Sequence, residues 1–144
     1  MSDGDGEIEC IYIIDCAGLR EIATTTKNSS KAFCNELLSN GAIGVPACVW
    51  AEFAEMYPAE AEALSPYVKK KIRMKKAYLI GGAAIADKMN PGFPLSPYDE
   101  LTDYYAASIA KIENRTLVTN GDSQVDLYKK MKACECVQVE DLEL

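Results

Sequence analysis

Apolar residues fall along the chain in short blocks whose length and period assign most of the regular structure. Ile8 to Ile14 (IECIYII), rich in Ile and bounded by Gly6 and Asp15, predicts a strand buried on both faces. The polar cluster Thr24 to Ser30 (TTTKNSS) predicts a loop. In the following KAFCNELLSNG, Phe33, Leu37 and Leu38 lie near one side of a helix that stops at Gly41. Ala42 to Val45 reads as a second strand, Pro46 as punctuation, and Ala47 to Met56 (ACVWAEFAEM) as a helix. Good helix formers dominate from Ala59 to Met89, broken by Pro66 and by Gly81-Gly82, which predicts two helices with a hinge. Pro91 to Pro97 is a rigid loop; Ser96 as N-cap, Pro97 at the first helical position and Asp99 three residues after the cap start a helix that runs to about Glu113. On it Asp103, Ala106, Ala107 and Ala110 share a small-residue face that lets the helix sit close to a sheet. Thr116 to Thr119 (TLVT) predicts a third strand, Ser123 to Lys132 a short helix, and Cys136 to Val139 a last strand.

Strands alternating with helices imply a parallel sheet covered on both faces, an α/β architecture. Ligands of such sheets bind beyond the carboxyl ends of the strands, near the point where the strand order reverses. Two predicted strands run directly toward acids there: IYII into Asp15, and TLVT into Asn120, Gly121 and Asp122. A length of 144 residues fits one compact domain, with residues 1–7 as a polar, Gly-rich frayed leader.

The absence of histidine excludes Ser-His-Asp and Cys-His catalysis and His-ligated zinc or haem, so chemistry falls to carboxylates, hydroxyls, thiols, amines or a metal held by oxygen. A formal charge of -7 argues against a generally polyanion-binding surface. One segment departs from that balance: Lys69 to Lys76 (KKKIRMKK) carries six basic side chains in eight positions. It reads either as a solvated basic helix face or as a segment that steers an anionic partner. The six cysteines show no CxxC pair, and their plain reading is as small hydrophobes in or beside strands; Cys134 and Cys136 are the only close pair. The acidic N-terminus does not resemble a signal peptide, and the apolar stretch Ala77 to Ala86 is far shorter than the roughly 18 residues that span a bilayer. A cytoplasmic protein with no membrane partner is expected.

Asp15, Glu52, Asp103 and Asp122 form the candidate site. Singly, each has an ordinary explanation: a strand-ending turn acid, an acid at the edge of the core, a first-turn acid that complements the helix dipole, and a turn residue. Together at one sheet edge they would repel, raise one another's pKa and need a counter-charge. Mg²⁺ or Mn²⁺ supplies it, prefers oxygen ligands, and activates water for attack on a phosphodiester.

Three segments resemble the PIN-domain family, especially the short VapC-type toxins of toxin–antitoxin pairs: IYIIDCAGL, VPACVWAEF, and LTDYYAASIAKIENRTLVT. The resemblance spans about Ile8 to Val139 and implies a three-layer α/β/α fold with a central parallel sheet of four or five strands. It also implies Asp15, Glu52 and Asp103 as metal ligands and Asp122 as a fourth acid. The chain departs from the family twice. Cys16, Ala17 and Gly18 stand where the family has a Ser or Thr soon after the first Asp, and Thr119-Asn120-Gly121-Asp122 places the closing acid one residue late. Asp122 on a backbone bulge, Asn120 as a neutral donor, or Asp99 on the same helix face as Asp103 are the candidates for completing the site.

The activity implied is a metal-dependent endoribonuclease, the toxin of a type II toxin–antitoxin pair, with RNA as substrate, a cognate antitoxin as partner and a homodimer as a further assembly. The alternative is a catalytically inactive PIN-like binding module. A phosphoacceptor receiver domain also uses acids at strand ends, but it expects adjacent acids after the first strand and a Lys on a late strand, and this chain has neither.

Overall fold

The computed structural model describes residues 10–89, 101–120, 129, 135–139 and 142, apart from the side chains of Lys88, Met89, Leu101 and Asp103. Among the described residues five parallel strands form one sheet: β1 (Tyr12–Ile14), β2 (Ile43–Pro46), β3 (Lys71–Ile72), β4 (Thr116–Thr119) and β5 (Cys136–Gln138), in the order β3-β2-β1-β4-β5. Among the described residues six α-helices lie between them: α1 (Cys16–Thr24), α2 (Asn28–Ser39), α3 (Ala47–Met56), α4 (Pro58–Leu64), α5 (Lys76–Met89) and α6 (Leu101–Ile112). The expected α/β fold with a central parallel sheet is therefore what forms.

The strand order fixes the layers. From β1 the chain steps outward to β2 and β3, then returns across the sheet to β4 and β5. Right-handed crossovers put the helices of the outward steps, α1 to α4, on one face and α5 and α6 on the other. Strand order reverses between β1 and β4, which are paired with Ile14 opposite Val118. Asp15 and Thr119 are the next residues on each strand, so both lie at the carboxyl edge of the crevice where such folds bind ligands.

Apolar pressure from both layers keeps the strands dry. Ile13, Ile14, Ile43, Val45, Leu117 and Val118 are buried beneath Leu19, Ile22, Leu38, Val49 and Phe53 on one side and Ile85, Ala106 and Ile109 on the other. Each fully buried aliphatic or aromatic side chain contributes about 1.5–3 kcal/mol. Ala106, Ala107 and Ala110 are all fully buried, as their shared face predicts, and α6 packs on β1 and β4.

Several elements differ from what the pattern predicts. Residues 16–24, where the pattern predicts no element, form α1, and the polar run predicted to reach Ser30 closes sooner because α2 starts at Asn28. Gly81-Gly82 is not a hinge: both residues lie inside α5, where a Cβ on Gly81 would strike the Ser108 hydroxyl and one on Gly82 the Tyr105 ring. Close α5–α6 packing outweighs the roughly 1 kcal/mol that each helical glycine costs. The basic run is not a helix face either, because Lys71 and Ile72 form the edge strand β3 and α5 begins only at Lys76. Exposed lysine on an edge strand also discourages pairing with another chain. The first strand is shorter than predicted among the described residues, starting at Tyr12. The Pro91–Pro97 loop, the Ser96–Asp99 helix start, the 123–132 helix except Lys129, Cys134 and the leader lie outside the described residues.

Candidate metal centre

Asp15 is buried, with 1% of its surface exposed, and serves as the N-cap of α1, its Oδ1 accepting from the Gly18 N–H at 2.9 Å. The ordinary turn-acid reading is thus met, by a side chain that stands at the carboxyl edge of the sheet. Its backbone N–H also donates to the Val118 carbonyl at 3.2 Å, so β4 holds the strand end in place. Gly18 permits this arrangement: a Cβ there would lie 2.7 Å from Ile14 Cγ1 and 2.8 Å from the Val118 oxygen. Only a residue without a side chain lets the first turn of α1 sit so close over the strands.

Burial pushes the Asp15 carboxyl up from 3.8 to about 6, against the opposing pull of the Thr119 hydroxyl and the Gly18 N–H. The shift was expected from repulsion among acids; its leading cause is the loss of water around one acid. Thr119 is fully buried at the end of β4, and its Oγ1 faces Asp15 but makes no formed hydrogen bond among the described residues. An uncommitted buried oxygen beside a buried carboxylate is costly unless something else engages both.

Glu52 reaches the same crevice from α3. Val49 and Phe53 on that helix point into the core, while Glu52 is half-buried and lines an open cleft of about 460 Å³. Its Oε2 accepts from two side chains, Thr102 Oγ1 on α6 at 2.6 Å and Cys16 Sγ on α1 at 3.1 Å. Cys16 follows Asp15 directly, so the thiol ties Glu52 to the strand end that carries the first acid. Asn120, immediately after β4, lines the cleft as well.

The structure therefore brings Asp15, Glu52 and Asn120 to one edge of the sheet. Asp103 lies on α6 next to Thr102, with its side chain outside the described residues, and Asp99 and Asp122 lie outside them altogether. Among the described residues no three acid or thiol side chains converge closely enough to form a metal-binding group.

Four participants escaped sequence reasoning. Thr119 was legible in principle, because pairing β1 with β4 sets it beside Asp15. Cys16, which stands where the resemblance implies a hydroxyl beside Asp15, donates instead to Glu52. Thr102 and Arg20 carried no signal until the helices were placed. Arg20, one turn beyond Cys16 on α1, is exposed on the cleft wall; its Cζ lies 4.4 Å from the centre of the Tyr57 ring and its Nη1 donates to the Tyr57 hydroxyl at 3.3 Å.

The described cysteines form no disulfide, and no described helix is long and apolar enough to cross a membrane. No known family profile and no curated protein matches the sequence. Solved structures do match. VapBC2 from Rickettsia felis, solved bound to a promoter DNA fragment, aligns with a TM-score of 0.62 at 17% identity, covering 89% of this chain and 98% of that one. VapBC-1 from nontypeable Haemophilus influenzae aligns at 0.60 and 15% identity over 91% and 99% of the two chains. PAE2754 from Pyrobaculum aerophilum aligns at 0.59 and 15% identity over 94% and 93%. At such identities the likeness is one of fold, and this chain has the fold of a VapC-type PIN domain.

Proposed function

We propose that the protein is a metal-dependent endoribonuclease that acts as the toxin of a type II toxin–antitoxin pair. The observation that carries this reading is a buried Asp15 at the switch point of the sheet, followed directly by Cys16, whose thiol together with the Thr102 hydroxyl holds Glu52 Oε2. The solved VapBC structures of the same fold support the antitoxin as partner.

The donor set fits a hard divalent cation. Asp15, Glu52, the Thr119 hydroxyl and Asn120 offer oxygen only, and Asp15 bears a desolvation cost that a cation would offset. Asp15, Glu52 and Asp103 would hold Mg²⁺ or Mn²⁺, with Asp122, Asn120 or Asp99 completing the set. When bound, the ion supplies Lewis acidity toward water and the phosphodiester, which replaces the histidine base the chain lacks.

The protein's own side chains perform the remaining work. The Gly18 N–H holds one Asp15 oxygen in place, leaving the carboxylate no freedom to swing into the helix end. Thr102 and Cys16 hold Glu52 Oε2, so that Oε1 is the oxygen that would engage an ion. Arg20, braced on the Tyr57 ring, offers its guanidinium to a phosphate at the cleft wall. The exposed lysines around β3 raise the local concentration of RNA near a site whose own charge repels it.

Incubation of a mixed RNA pool with the protein in Mg²⁺, in Mn²⁺ and in EDTA tests the reading. Cleavage in either metal, absent in EDTA and absent in Asp15→Asn, is the expected result. RNA left intact in both metals would sink the enzyme and leave the inactive binding module.

A further inference from the structure

A second hollow, of about 220 Å³, lies between the sheet and the α5–α6 layer. It opens at the amino-terminal ends of the strands: Cys10 precedes β1, Lys70 precedes β3 and Arg115 precedes β4, so it faces away from the acidic cleft. Its floor is apolar, formed by Ile13, Ile72 and Ile109.

Its rim is cationic. Lys70, Lys75 and Arg115 line the opening, with Glu113 as the one carboxylate among the described lining residues. That carboxylate is already engaged, because the hydroxyl of Tyr78, itself only 3% exposed, donates to Glu113 Oε2 at 2.6 Å. Lys75 Nζ lies 5.6 Å from the centre of the Tyr78 ring, which places its charge over the wall of the hollow. Among the described lining residues, three cations stand against one carboxylate on a chain of formal charge -7. Convergent like charges over an apolar floor match the composition of small-ligand sites, in which a few polar groups orient a mostly apolar body.

We infer that this hollow binds a small organic anion, its apolar body on the isoleucine floor and its carboxylate or phosphate held by Lys70, Lys75 and Arg115. The size agrees: a cavity of about 150 Å³ accommodates benzene, so this one takes a single ring with an anionic group at the rim. The inference does not rest on the metal site, since the hollow shares no lining residue with the acidic cleft, although Lys70 and Lys75 belong to the basic run assigned above to RNA attraction.

Cys10 supplies a built-in reporter. It is half-buried at the mouth, where burial pushes its thiol pKa up against the opposing pull of Arg115 and Lys70. The test is calorimetric titration in EDTA with phenyl phosphate, benzoate and inorganic phosphate, together with alkylation of Cys10 by iodoacetamide read by peptide mass spectrometry. Phenyl phosphate or benzoate is expected to bind saturably and slow Cys10 alkylation, and which of them binds more tightly identifies the preferred anionic group. Inorganic phosphate, lacking the apolar body, is expected to bind at least about tenfold more weakly. Lys70→Ala/Lys75→Ala, which alters two exposed side chains and leaves the core intact, should weaken binding by about tenfold or more, while Asp15→Asn leaves it unchanged. The inference is overturned if neither organic anion binds by about 10 mM, if the double variant binds as well as the native protein, or if inorganic phosphate binds as tightly as phenyl phosphate.

Discussion

Replacing Asp15 by Asn separates the cost of this residue to the fold from its use. The carboxyl is almost fully buried and its pKa rises from 3.8 to about 6 because burial disfavours the charged form. At about 1.4 kcal/mol per unit, keeping it ionised at neutral pH costs the folded state about 3 kcal/mol. The sign follows from proton counting. Between the unfolded value of 3.8 and the folded value of about 6 the native protein holds a proton that the unfolded chain has released, so stability falls as pH rises through that window and is level above it. Asn carries no charge to desolvate, and its Oδ1 still caps α1 by accepting from the Gly18 N–H. In EDTA, Asp15→Asn should match the native protein near pH 4 and exceed it by up to about 3 kcal/mol at about pH 7.5, an upper bound because the new amide hydrogens need acceptors. That difference corresponds to a rise in Tm of about 6–12 °C for a chain of this size. Urea denaturation of both proteins across this pH range measures it. Mn²⁺ at about 100 times its Kd should then return about 2.7 kcal/mol to the native protein and at most about 1.4 kcal/mol to the variant, whose affinity is at least about tenfold lower. A variant less stable than the native protein at neutral pH in EDTA, or a difference that does not change with pH, would refute the reasoning.

Three further outcomes follow from the same geometry. Thr102→Val removes the shorter of the two bonds to Glu52 Oε2 and should weaken Mn²⁺ binding by about tenfold or more, with Thr102→Ser restoring it, as calorimetry would show. Arg20→Ala should leave Mn²⁺ affinity intact but weaken RNA binding, lowering the slope of log K against log salt by about one. Gly82→Ala drives a methyl group into the Tyr105 ring and should destabilise the protein by about 1–3 kcal/mol in urea unfolding, whereas propensity alone would make Ala the better helix residue.

How far the sequence discloses this molecule depends on which force decides each element. Where a dry strand or an apolar helix is set by its own residues, the reading succeeds: TLVT forms β4 and ACVWAEFAEM forms α3 with the predicted bounds. Where tertiary packing decides, it does not. Gly81-Gly82 has the local chemistry of a break, and only the neighbouring α6 makes it the contact point of two helices. Gly18 hides α1 in the same way, since its value lies in the approach of the helix to Ile14 and Val118. β3 is two residues of an edge strand within a run of cations, with neither apolar alternation nor length to reveal it. At the site, Asp15 and Glu52 were legible as acids in unusual settings, one at a strand end and one within an apolar helix. Thr102 and Cys16 act across elements, separated from Glu52 by 50 and 36 positions, and no local pattern encodes such partners.

The most direct measurement of the central claim is calorimetric titration of Mn²⁺ into the native protein and into Asp15→Asn at about pH 7.5, where the carboxylate is ionised. The account predicts saturable binding to the native protein that weakens by at least about tenfold in the variant. Equal affinity in the two proteins, or no binding to the native protein up to millimolar Mn²⁺, would contradict it.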